Sequence, residues 1–139
     1  MKSVYPVFLT QTDTIVLVEV PDLEILTEGR DIPDAIEMAR DAIELKCVSL
    51  EDDGIKIPQP SDMTMLDTST GTFAGEGRAI VSLVDADPAE YRRKIDTKTV
   101  RRNVALPSWL NYEAEQAGVN VSRILQEALI STLHLERRV

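Results

Sequence analysis

The sequence holds one cysteine, Cys47, and one histidine, His134. A lone cysteine cannot close an internal disulfide, and one cysteine with one histidine cannot furnish a structural zinc site. No metal and no cofactor is signalled. A nucleophilic Cys47 would want a histidine beside it, and the only one stands near the other terminus, so Cys47 reads as core and His134 is assigned no role. Long apolar runs are missing as well. No stretch approaches the roughly 20 residues of a bilayer crossing, and the start, Met1 to Pro6, lacks the apolar segment and cleavage site of a secretory signal. The expectation is a soluble, cytoplasmic chain with no membrane association. Its 139 residues, 43% of them apolar, suffice for one ordinary domain or two small ones.

Positive charge is scarce in the first two thirds. Residues 1–90 carry 6 Lys/Arg against 19 Asp/Glu, a balance of −13, whereas residues 91–139 carry 9 against 5, a balance of +4. Halves of opposite sign suggest two kinds of partner. The basic third has to be judged apart from the acidic whole, because a local patch is what binds phosphate.

Val4 to Thr10 and Ile15 to Val20 read as two β-strands joined by the short link Gln11 to Thr14, which favours a hairpin. Pro6 cannot donate to a ladder, and this predicts an edge position or a bulge for the first strand. Leu23 to Thr27 supplies a third short strand before Glu28-Gly29-Arg30 turns the chain. Asp31 then caps a helix with Pro33 in its first turn and Asp34 and Glu37 at the positive end of its dipole. Ile36, Ala39, Ile43, Cys47 and Leu50 form its apolar stripe, with Glu37, Arg40, Asp41 and Glu44 facing water. Glu51 to Gly77 is mainly loop, and its length predicts either a short strand hidden around Met63 to Leu66 or mobility. Arg78 to Asp85 is a strand. Asp87-Pro88-Ala89-Glu90 caps and opens a short helix near 88–94, which leads to a domain boundary near Asp96.

Thr99 to Leu106 alternates, with Val100, Val104 and Leu106 on one face, Arg102 being the exception, and Thr99, Arg101, Asn103 and Ala105 on the other. Pro107-Ser108 opens a helix that Gly118 ends, and Asn120 caps a second one carrying Ile124, Leu125, Ala128, Leu129 and Leu133. Trp109 begins the first helix and reads as core or dimer interface. One strand and two short helices cannot fold alone. A two-fold dimer answers this by pairing the strands as an antiparallel ribbon, which fits the major groove of DNA. Arg101 and Asn103 suit guanine and adenine edges, and Ala105 offers a methyl or clearance. Asn120, Ser122 and Arg123, at a helix N-terminus, suit the phosphate backbone.

Lys98 to Leu133 resembles the ribbon-helix-helix repressors, and its PSWLN and GVNVSRILQEAL elements are similar to those of the HicB family of type II antitoxins. VYPVFLT, the Pro-Asp after strand two, AIEMARDAIELKCVSLEDDG, IPQPSD and DPAEYRRKIDTK resemble the N-terminal domain of the same family. Gln11 to Thr14 and the Leu-Glu-Ile-Leu after Asp22 depart from the turns usual there. The resemblance implies an α+β chain: a β-β-β-α-β domain over 1–96 with a degenerate ribonuclease H-like fold, then a ribbon-helix-helix domain over 97–139. It implies no enzyme, but an antitoxin that masks a small basic HicA-like toxin, an RNA-cleaving protein, and binds operator DNA as a homodimer or a larger assembly such as a tetramer. Two rivals stand beside it. A stand-alone regulator would use the front domain to sense a ligand or to assemble. A magnesium nuclease would draw on Asp13, Glu19, Asp22 and Glu37, although acids scattered over helix and loop faces are explained by solvation.

Overall fold

The computed structural model describes residues 2–136. The chain forms two compact units, Met1–Ile95 and Asp96–Val139. In the first, strands β1 (Ser3–Gln11), β2 (Val16–Val20), β3 (Ile25–Gly29) and β4 (Arg78–Ala86) form one antiparallel sheet in the order β3-β2-β1-β4. Helix α1 (Ile32–Asp52) packs against it, and α2 (Pro88–Ile95) packs against α1. The second unit contains α3 (Ser108–Ala117) and α4 (Val121–Thr132).

One core lies between α1 and the sheet. Tyr5, Val7 and Leu9 of β1, Val16, Val18 and Val20 of β2, and Val84 and Ala86 of β4 meet Ala35, Ala39, Ile43 and Cys47 of α1. Strand alternation and helical spacing thus deliver their apolar residues to the same layer. Asp31 caps α1 by accepting from the Asp34 N–H at 2.9 Å, with Pro33 in the first turn. Gly29 ends β3 where the first turn of α1 passes closest: a Cβ there would fall on the backbone nitrogen and Cα of Ala35.

Four local expectations are corrected. Strand β1 is central, with no bulge in its register, although it contains Pro6. Its pairing with β2 runs only from Phe8 to Gln11, so the missing N–H of Pro6 falls beyond the end of that ladder. Chain segment 21–24 forms a 3₁₀ turn at Pro21–Leu23 and a left-handed Glu24 (φ 54°), which delays β3 to Ile25 and carries it on to Gly29. Glu44 does not face water but is 6% exposed, because the chain after β4 returns across it. Burial raises its carboxyl above the usual range, against the pull of Lys94 and the backbone N–H of Asp87.

The fourth concerns the long loop, which holds no strand. Met63–Met65 and Thr68–Thr70 are 3₁₀ turns, capped by Asp62 and Asp67. The loop is fastened to the sheet at three places. Tyr5 donates its hydroxyl to the Pro58 carbonyl at 2.7 Å, Asp22 accepts from the backbone and side chain of Ser61, and Glu19 accepts from the N–H and Oγ of Thr72 at 2.8 and 2.9 Å. Gly71 lies against the Phe8 ring, on the face of the sheet away from α1. Phe8 and Thr10 are therefore buried as well, and the central strand is covered on both sides.

Candidate functional site

In the second unit, residues 97–107 form no hydrogen-bonded strand within the described chain. This corrects the expected strand over Thr99 to Leu106, for a reason already contained in its sequence: a β-strand is defined by a ladder, and one copy of this unit has nothing to pair with. The helices stand as expected. Gly118 ends α3 in the left-handed conformation (φ 66°), and Asn120 caps α4 by accepting from the Arg123 N–H at 3.1 Å.

Among the described residues of this unit none is buried; Ala114 and Ile130 are half-buried and the others are exposed. Val100 is 84% exposed and Trp109 68%, and Val104, Leu106, Leu110, Ile124, Leu125, Leu129 and Leu133 are exposed too. Apolar surface of this extent on so short a segment is of the kind that marks an interaction surface. Trp109 is thus no part of an intrachain core.

Arg101, Asn103, Ala105, Asn120, Ser122 and Arg123 are all exposed. Arg101 and Ser122 line one cleft of about 460 Å³, together with Thr99, Val100, Arg102, Leu125, Gln126 and Leu129. Its lining combines the apolar Val100, Leu125 and Leu129 with the cations Arg101 and Arg102. Arg123 pairs with Glu127, one turn further along its own helix, at 3.2 Å, an exposed ion pair that contributes little and leaves the guanidinium able to meet a phosphate. Arg102, the exception in the apolar alternation, lines the same cleft beside Arg101, and its break in the pattern is the signal by which the sequence marks it.

The acidic unit shows a different chemistry. Its cations are largely spent internally: Arg40 binds Asp85 at 2.9 Å, Lys2 binds the same carboxylate at 3.4 Å, Arg30 binds Asp34 at 3.4 Å, and Arg92 bridges Glu51 and Asp52 at 3.1 and 3.0 Å. The Arg40 guanidinium, helped by Lys2, holds the Asp85 carboxyl below the usual range. Arg92 docks α2 on α1 in the same way. Met38, Ala42, Leu45 and Tyr91 line a cleft of about 370 Å³ bordered by Asp41, Glu44 and Lys94.

Of the four acids considered for a metal, Glu19 and Asp22 are occupied in fastening the loop. Among the described residues no three His, Cys, Asp or Glu side chains are grouped to hold a metal ion. Cys47 is buried, and burial, with Glu51 adding to it, pushes its thiol up, away from reactivity. Tyr5, buried beside it, is pushed up to about 12, first by burial and then by the neighbouring Cys47 and Asp22. No helix among the described residues is long and apolar enough to cross a membrane.

Comparison with known proteins bears on the whole chain. Among solved structures it is similar to a chain of a toxin-antitoxin complex from Streptococcus pneumoniae, with 21% identity over 95% of this chain and 99% of that one, at a TM-score of 0.60. It is also similar to the antitoxin HicB of Burkholderia pseudomallei, with 24% identity over 95% and 97% of the two chains and a TM-score of 0.50. These likenesses establish a shared mixed α+β fold. No curated protein matches the sequence. The model of a family described as the HicB-like antitoxin of bacterial toxin-antitoxin systems matches residues 5–128, a span that runs through both units. The chain belongs to the HicB-like antitoxin family.

Proposed function

We propose that this protein is an antitoxin and autorepressor. Its first unit, which we read as a reduced ribonuclease H-like domain, covers the RNA-binding surface of a small basic HicA-like toxin. Its second forms a ribbon-helix-helix dimer on the operator of its own operon. The observation that carries this reading is the family match continuous from residue 5 to 128. Charge supports the division of labour: a surface at −13 over residues 1–90 complements a protein that is basic around an RNA groove, whereas the +4 of residues 91–139 suits DNA.

In the dimer, residues 99–106 of two copies pair as an antiparallel ribbon. The face bearing Arg101, Asn103 and Ala105 enters the major groove, and the apolar row Val100, Val104 and Leu106 turns to the shared core. The free amides at the start of α4, with Asn120, Ser122 and Arg123, meet the phosphates on either side. Nothing in this scheme requires catalysis.

The experiment is affinity capture of the tagged full chain from its source cells at natural expression, with mass analysis of what accompanies it. A small basic protein in fixed stoichiometry is expected. Operator DNA with no protein partner would overturn the toxin-masking half and leave a self-contained regulator. For the DNA half, Arg101→Ala is expected to cost about 1 to 3 kcal/mol per base contact and to relax sequence preference, whereas Arg123→Ala weakens all sequences alike and lowers the salt slope by about one unit. Titrations of specific and scrambled duplexes at several salt concentrations separate the two effects, and parental behaviour in both variants would refute the assignment.

A further inference from the structure

The sheet of the first unit ends at β4, which pairs with β1 and with no other strand. Which of its backbone groups face outward can be deduced. The Asp85 carbonyl accepts from Arg40 Nε at 3.0 Å and so points away from β1. The register from Ser3↔Ala86 to Gln11↔Arg78 is unbroken, so the N–H and C=O of Leu83, Val81 and Ala79 point the same way by alternation. Pro6 agrees independently. It stands opposite Leu83, and in this alternation its nitrogen is not called on to donate to β4. Among the described residues, no hydrogen bond reaches the outward groups of Ala79, Val81 or Leu83.

Edge strands are ordinarily defended by shortness, charge, proline or cover. The opposite edge of this sheet follows that rule, since β3 has five residues and carries Glu28, with Glu24 just before it. Strand β4 has nine residues, and from Ala79 to Val84 none is charged. Ile80 and Leu83, on opposite faces of the strand, are 55% and 49% exposed. Such an edge calls for another strand.

The strand it fits best is its own. Laid antiparallel about Val81, two copies bring Ala79 opposite Leu83 and Ser82 opposite Ile80, so that a small side chain meets a large one on either side of the central Val81 pair. All three outward residues find outward partners in this register, and pairing stops short of Asp85, where Arg40 already occupies the edge. The charges agree: each strand opens on Arg78, carries Asp85 near its end and is followed by Asp87, so the cation of one copy comes near the acids of the other. A basic foreign strand would find no acid between residues 79 and 84. We propose that the outer edge of β4 pairs with the same edge of a second copy, antiparallel about Val81, merging two four-stranded sheets into one. This interface is independent of the ribbon and of the toxin-masking reading.

The test is residue-resolved amide hydrogen exchange on the full chain, without toxin, at the concentrations used for NMR. The amides of Ala79, Val81 and Leu83 are expected to be protected at least about tenfold over unpaired amides. Ile80, Ser82 and Val84, bonded to β1, serve as the internal reference. Val81→Pro removes a donor that faces outward and spares the ladder with β1. It should release Ala79 and Leu83 while the reference amides stay protected. Should proline disturb the strand, Ile80→Lys places a charge at an already exposed position and should have the same effect. Outward amides that exchange freely in the parent would overturn the proposal, as would protection unchanged in both variants. Protection that appears only when a toxin is added would also overturn it, in favour of a foreign strand.

Discussion

Replacing Leu129 by aspartate is expected to abolish operator binding, with a loss of more than about a thousandfold, equivalent to about 4 kcal/mol. Leu129 lines the cleft between residues 99–102 and α4, together with the apolar Val100 and Leu125. Among its described residues the unit has none buried, and in the proposed dimer such positions are covered by the second chain. A carboxylate forced under that cover costs several kcal/mol, more than so small a unit has in reserve. Thermal unfolding of the parent should include a transition whose midpoint climbs with protein concentration, as for any fold coupled to association. The variant should lack that transition and keep the one belonging to residues 1–95. Operator affinity within tenfold of the parent would show that the apolar face of α4 is not the dimer core.

Gly29→Ala carries the second large effect, and in the other unit. The added methyl meets the Ala35 nitrogen and Cα, which belong to the first turn of α1 and are fixed there by the Ala35 N–H bond to the Asp31 carbonyl at 2.9 Å. Backbone cannot rotate aside as a side chain can, so β3 and α1 have to separate. We expect a cost of about 3 kcal/mol, at the upper end for overpacking, and a fall in the midpoint of the first unit of about 12 to 24 °C. Gly54→Ala is the control. Gly54 has a positive φ of 69° and open space around it, so its variant pays backbone strain alone, about 1 kcal/mol. Equal melting of the two variants would refute the close-approach argument.

The strands, the capped helix and the helix pair at the end could be read from residues alone, because each is specified by a local period and a local cap. What escaped depends on chain that arrives later. Glu44 occupies a helical position that periodicity gives to water, and only the return of Asp87 and Lys94 encloses it. Pro6 points to an edge or a bulge when the strand is considered as a whole, whereas a strand has two sides and the β2 side ends at Phe8. The loop over residues 53–77 carries no sign that Asp22 and Glu19 hold it, since those acids look like any solvated carboxylates. The expected ribbon is the reverse case. Its alternation was plain in Thr99 to Leu106, yet a single chain cannot display it as a strand. Of the candidate DNA contacts, the cleft gathers Arg101 with Ser122, whereas Asn103 and Ala105 lie outside it.

The strand order also sets a timetable. Strand β1 ends at Gln11, and the partner that closes its second side begins at Arg78. Everything else in the sheet is built from neighbours in the sequence, so hairpins β1-β2 and β2-β3 and the helix behind them can form early, while the contacts of highest sequence separation form last. At about 5 to 20 residues per second, translation takes about 3 to 13 seconds to cover the interval. Throughout that time the growing chain presents β1 as an open edge, with Val7 and Leu9 only half enclosed. Each nascent copy is therefore most vulnerable to mispairing on a polysome, where other copies stand at the same stage of synthesis, and a slow codon between residues 53 and 77 would lengthen the exposure.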